Sequence, residues 1–163
     1  MTFLKRLLGA IGFISAAQAG ENIQPTPGQE AVLREAESIT SGFMAEGKQF
    51  PDFGVGLGTD GKTVLAIASS DFADPSSAYQ AVISQLSAQA ADSKIVAAAL
   101  VSPVFPPPGS GLNQGAIIFI LEDRKAPGVM VRKRIEKGPT GAWTEVERRV
   151  AKLPQDKPLV FKR

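Results

Sequence analysis

The chain has 163 residues, with 18 Lys and Arg against 16 Asp and Glu, and it contains neither cysteine nor histidine. A chain of this length can bury well over half of the surface it exposes when unfolded, so one domain with one apolar core is expected. The absent residue types exclude disulfides, thiolate nucleophiles, imidazole acid–base catalysis and the usual zinc ligand sets. The charge is also segregated: residues 124–163 hold twelve Lys and Arg but only four Asp and Glu, which makes that stretch basic and the remainder net acidic.

In chain order, Lys5 and Arg6 precede an apolar run at residues 7–14, and Ala17-Gln18-Ala19 follows. A charged start, a short apolar stretch and an A-x-A site are the parts of a signal peptide, so residues 1–19 are expected to direct export to the periplasm or beyond. The apolar run falls well short of the roughly 20 residues that a membrane span needs. The other reading of the segment is an uncleaved amphipathic helix over residues 3–14, with Phe3, Leu7, Ile11 and Ile14 on one face, holding a cytoplasmic protein against a membrane. Residues 20–27 read as a linker and residues 28–163 as a single domain.

Thr26, Pro27 and Gln29 make a capping box with proline at the first helical position, and Val32, Ala36, Ile39 and Phe43 recur at helical spacing, widened by Leu33 and Met44. Gly47 is placed to stop this helix. Two apolar runs follow, Phe50, Phe53, Val55 and Leu57, then Val64, Leu65 and Ile67, separated by Thr59-Asp60-Gly61-Lys62. An Asp-Gly pair between such runs signals a β-hairpin, since glycine takes the positive φ that the turn needs. Asp74 and Pro75 then start a second helix with Tyr79, Val82, Ile83, Leu86 and Ala90 on its apolar face.

Residues 95–101 form a short apolar run that fits a buried strand, and residues 106–111 make a stiff, solvated loop of three prolines, two glycines and a serine. Residues 116–121 are apolar at every position, as a central strand is. Residues 129–137 alternate, with Val129, Val131 and Ile135 on one face and Met130, Arg132, Arg134 and Glu136 on the other. Trp143, Val146, Val150 and Leu153 fit a helix, but the Gly138-Pro-Thr-Gly141 turn before them favours a second hairpin and a strand. Residues 158–161 fit a short edge strand. The expected fold is α+β: a mainly antiparallel sheet of five or six strands with two helices packed on one face.

The most distinctive string is GLGTDGKT at residues 56–63. Gly56, Gly61, Lys62 and Thr63 match the phosphate loop of nucleoside triphosphatases, and Gly56, Gly58 and Gly61 match the dinucleotide fingerprint. A phosphate loop needs a buried strand before it and a helix after it, because the helix N-terminus supplies the donors and the dipole. Gln49, Pro51 and Asp52 spoil the strand, and the capping signal at Asp74 leaves too little chain for the helix. The acidic end of the apolar run at residues 116–123 resembles a magnesium-holding strand, yet the hairpin accounts for the same string with less. Nucleotide binding therefore stands as the alternative, and no cofactor is expected.

The alternate glycines Gly54, Gly56 and Gly58 leave one face of a strand bare, so that a helix, a ring or a partner can approach its backbone closely. With Pro106, Pro107, Pro108 and Trp143 they are the candidate interaction surface. Asp71 and Asp74 suggest a cation site, but Asp74 is better explained as a helix cap, and no metal is expected. Glu122 and Asp123 suggest paired carboxylates, but acidic residues at a turn are more simply solvated, and a serine nucleophile lacks a base, so no catalytic residue is assigned. Arg132, Lys133, Arg134, Lys137, Arg148 and Arg149, with Trp143, offer a basic face for nucleic acid or anionic lipid; the interleaved Glu136, Glu145 and Glu147 point instead to cross-strand ion pairs.

The order of a helix, Phe50-Pro-Asp-Phe-Gly54, a Thr-Asp-Gly-Lys turn, a capped helix, Ala97-Ala-Ala-Leu, a proline loop and an Ile-Leu-Glu-Asp-Arg strand end resembles a group of small uncharacterised bacterial α/β proteins, over roughly residues 28–135. The resemblance implies the hairpin and brings no substrate or active site. The expected function is a non-enzymatic binding module of the bacterial envelope with a protein partner.

Overall fold

A computed structural model describes residues 23–68, 74–153 and 158–162. The expected signal peptide at residues 1–19 lies outside them, and none of the described helices is long and apolar enough to cross a membrane. The elements run α1 (Pro27–Ala45), β1 (Phe53–Gly58), β2 (Thr63–Ile67), α2 (Pro75–Ala91), β3 (Ile95–Val104), β4 (Gln114–Asp123), β5 (Ala126–Lys137) and β6 (Trp143–Lys152). The strands form one open sheet in the order β2-β1-β3-β4-β5-β6, with every neighbouring pair antiparallel. The expected α+β class and mainly antiparallel sheet of five or six strands are those of the structure, which has six, and residues 143–152 are strand.

Local chemistry sets the ends of the helices. The Thr26 hydroxyl accepts from Gln29 N–H while the Gln29 side chain accepts from Thr26 N–H, and Pro27 opens α1. At its other end Gly47 takes φ +66° and donates to Met44 C=O, and Lys48 N–H donates to Phe43 C=O, a paired closure that satisfies carbonyls the helix leaves free. Asp74 caps α2 by accepting from the N–H groups of Ser76 and Ser77.

The placement of the helices corrects the expectation of two on one face. Val32, Ala36 and Met44 of α1 pack with Phe53, Val55, Ala97, Ala99, Val101, Ile117, Phe119 and Leu121. Tyr79, Val82, Ile83, Leu86 and Ala90 of α2 pack with Ala98, Leu100, Ile118, Ile120 and Met130. Alternate residues of the same strands thus point to different helices, so α1 and α2 cover opposite faces. The reason is in β3 and β4, which are apolar at successive positions: a strand of that kind needs cover on both sides.

Residues 158–162 likewise differ from expectation, for they add no strand to the sheet. Val160 and Phe161 are buried on the α2 face, where they extend the cover that α2 gives. Glu122 holds them there: its carboxylate accepts from the N–H groups of Leu159, Val160 and Phe161 at 2.6, 2.9 and 3.3 Å.

Candidate functional site

Residues 56–63 form a hairpin. Gly58 N–H donates to Lys62 C=O at 2.7 Å, Gly61 N–H donates to Gly58 C=O at 3.0 Å, and Gly61 sits at φ +81°. This is a three-residue connection with glycine in the left-handed region, tightened by Asp60 Oδ1 accepting from Lys62 N–H. The hairpin at Gly138–Ala142 repeats it, with Gly138 N–H on Ala142 C=O, Gly141 N–H on Gly138 C=O and Gly141 at φ +85°. Thr63 opens β2 rather than a helix, so Gly56, Gly61, Lys62 and Thr63 do not form the strand–loop–helix cradle that holds phosphates.

The bare strip of β1 is filled from within the chain. A Cβ on Gly54 would stand 2.6 Å from Leu86 Cδ1 and 2.9 Å from Val82 Cγ1, so α2 is what approaches this backbone. Gly56 lies under Val64 and Ile95, and Gly58 against Asp60 of its own turn. All three glycines are buried, which corrects their assignment to a partner surface. Trp143 is buried as well, its ring centroid 5.4 Å from that of Phe105, with Lys137 Nζ 5.6 Å above it. Pro107 and Pro108 are exposed and Pro106 half-buried, beyond the Phe105 ring that meets Phe50 edge-to-face at 5.3 Å between centroids. The candidate surface residues are therefore split between the interior and one loop.

The acidic candidates are likewise accounted for by the fold. Asp123 Oδ2 accepts from the Thr26 hydroxyl at 2.7 Å, and Glu122 holds the C-terminal segment. Asp71 lies outside the described residues, and among those described no three His, Cys, Asp or Glu side chains gather to hold a metal ion. Asp52 is partly buried, and burial pushes its carboxyl above the ordinary range, offset in part by the Ser102 hydroxyl. Burial also pushes the Tyr79 phenol up, helped by the charges of Asp52 and Glu122.

On the basic strands the glutamates do what their interleaving suggests. Lys133, buried over the Phe119 ring, pairs with Glu37 of α1 at 2.7 Å and Glu145 at 2.8 Å, and Arg148 bridges the same two carboxylates at 2.7 and 3.0 Å. Arg134 pairs with Glu136 and Glu147, and Arg149 with Glu147. Arg148 and Lys133 hold Glu145 below its usual range, as Arg149 and Arg134 hold Glu147, and Glu145 first of all raises Arg148.

The feature that sequence reasoning passed over is the outer edge of β2. Val64, Leu65 and Ile67 are 37, 50 and 51 % exposed. The bond from Gly58 N–H to Lys62 C=O fixes the phase of the β1–β2 ladder. Antiparallel pairs alternate between bonded and non-bonded, so Val64 and Ala66 turn their backbone groups towards β1, while Thr63, Leu65 and Ile67 turn theirs outwards. Among the described residues one outward group is engaged, since Gln85 Nε2 of α2 donates to Ile67 C=O at 3.1 Å. The available signal was that this strand is apolar on both parities yet follows a tight turn, so no second neighbour was implied for it.

No protein-family model, curated protein or solved structure matches the chain.

Proposed function

We propose that this chain is an exported, non-enzymatic interaction module that binds a protein partner by accepting an extended segment along β2. The carrying observation is the row of outward backbone groups on Thr63, Leu65 and Ile67, beside half-exposed Leu65 and Ile67 side chains. Such an edge offers main-chain hydrogen bonds for affinity and alternate side-chain sites for selectivity. Nothing charged within Thr63–Ile67 repels an incoming strand. Export rests on the pattern of residues 1–19, and the resemblance to small bacterial α/β proteins agrees with a module that has no catalytic residue. The basic-surface alternative is weakened because Lys133, Arg134, Arg148 and Arg149 are already matched by glutamates.

The test is a photoreactive side chain placed at Leu65 or, as a control on the opposite edge, at Val146. A discrete protein adduct at Leu65 and none at Val146 is expected; equal labelling or none at either position refutes the reading. Calorimetry with ATP and magnesium is expected to give no binding heat, and tight binding lost in Lys62→Ala would restore the nucleotide alternative. N-terminal sequencing of the protein from its host is expected to begin at Gly20.

A further inference from the structure

We infer that the segment that fits the β2 edge is β2 of a second copy of this chain, the two strands pairing antiparallel about a two-fold axis at Leu65. The inference rests on β2 being a recognition edge and adds the identity of the partner. A two-fold interface requires a surface complementary to itself. In an antiparallel pair, residues that face each other as a bonded pair exchange both of their hydrogen bonds. With the axis at Leu65, Leu65 faces Leu65 of the other copy and Thr63 faces Ile67, and these are the residues whose N–H and C=O groups point outwards. The register therefore aligns donors with acceptors along the whole of Thr63–Ile67.

The side chains agree with the same register. On the α1 face, Leu65 of each copy meets its counterpart and Thr63 meets Ile67, a β-branched pair of the type favoured across strands. On the other face Val64 meets Ala66. No charged residue lies within the five positions, so no like charges are brought together. Leu65 and Ile67, half-exposed in the monomer, become covered. The product is a continuous twelve-stranded sheet, built from six strands of each copy.

Size and competition set the strength. A pair of five-residue strands buries less than the roughly 800 Å² per partner of a standard stable interface, so the dimer is weak and concentration-dependent. Gln85, by holding Ile67 C=O, competes for one end of the edge.

Sedimentation equilibrium of the full chain from micromolar to millimolar concentration tests the inference, with amide exchange as a second readout. The expected result is a mass rising towards twice the monomer, with added protection at the amides of Thr63, Leu65 and Ile67. Leu65→Pro removes an outward N–H and leaves the β1–β2 ladder its bonds, and Leu65→Lys sets two like charges face to face on the axis. Both are expected to abolish the dimer while Val146→Lys leaves it intact. A monomer at every concentration overturns the inference, as does a dimer that survives both Leu65 substitutions. A monomer whose Leu65 photoprobe still joins a different protein refutes self-pairing alone; a monomer with no adduct refutes the recognition edge as well.

Discussion

β6 closes one side of the sheet with ten residues, five of them charged, and β2 closes the other with five residues and no charge. Along β6, Glu145 pairs with Ile135 and Glu147 with Arg134, so Val146 is an extra residue without a partner, a bulge that breaks the edge as a template. Arg148 and Arg149 extend the protection with charges tied down by Glu37, Glu145 and Glu147. β2 has neither device, and among the described residues its defence is shortness and the Gln85 side chain at one end. Sheets that remain single guard both edges. Among the described residues one edge is guarded and the other is not, and the proposed recognition edge rests on that contrast.

The largest expected effect lies on the guarded side. Lys133→Ala withdraws the buried ammonium from Glu37 and Glu145 and should cost about 2 kcal/mol in urea unfolding, less than a fully buried pair because both carboxylates are part-exposed and keep Arg148. Gly61→Val forces a branched side chain to φ +81° and should cost about 1–2 kcal/mol by the same measurement, loosening the β1–β2 hairpin while β5–β6 keeps its own turn. If instead its cost reaches the β5–β6 amides in hydrogen exchange, the two sides are not independent. Gln85→Ala should change stability by under about 0.5 kcal/mol, the scale of an exposed polar contact, yet tighten self-association, which sedimentation would detect.

The smallest effect is that of acid. Glu145 and Glu147 have folded values below the ordinary glutamate range, so their contribution is complete above it and is lost as pH falls from about 4.3 through the lower folded values. β2 carries no titrating group. Amide exchange between pH 5 and pH 3, corrected for its intrinsic rate, should therefore speed up along β6 and stay level along β2; equal change on both edges would dissolve the contrast.

Much of the fold was legible because the signals were local. Thr26 and Gln29, Asp74 and Pro75, and the two G-x-x-G turns act within five residues of themselves, and each formed where its chemistry places it. The side of the sheet that each helix covers was misread, although residues 97–101 and 117–121 are apolar on both parities and need two covers. The glycine strip was recognised as a place of close approach, but whether Leu86 or a foreign residue fills it depends on contacts far apart in sequence. The edge of β2 was hidden for the same reason: strand order, which no local pattern contains, decides which strand is left outermost.

The carboxylate of Glu122 joins β4 to the last residues described, across 37 to 39 positions of chain. Loss of residues 158–162 would therefore remove more than their own contacts. It would leave the buried Glu122 carboxylate without those donors and take Val160 and Phe161 out of the apolar cluster on the α2 face, so the damage exceeds the length lost. Residues 158–162 work as a fastening, and a cut or insertion within them disturbs the core.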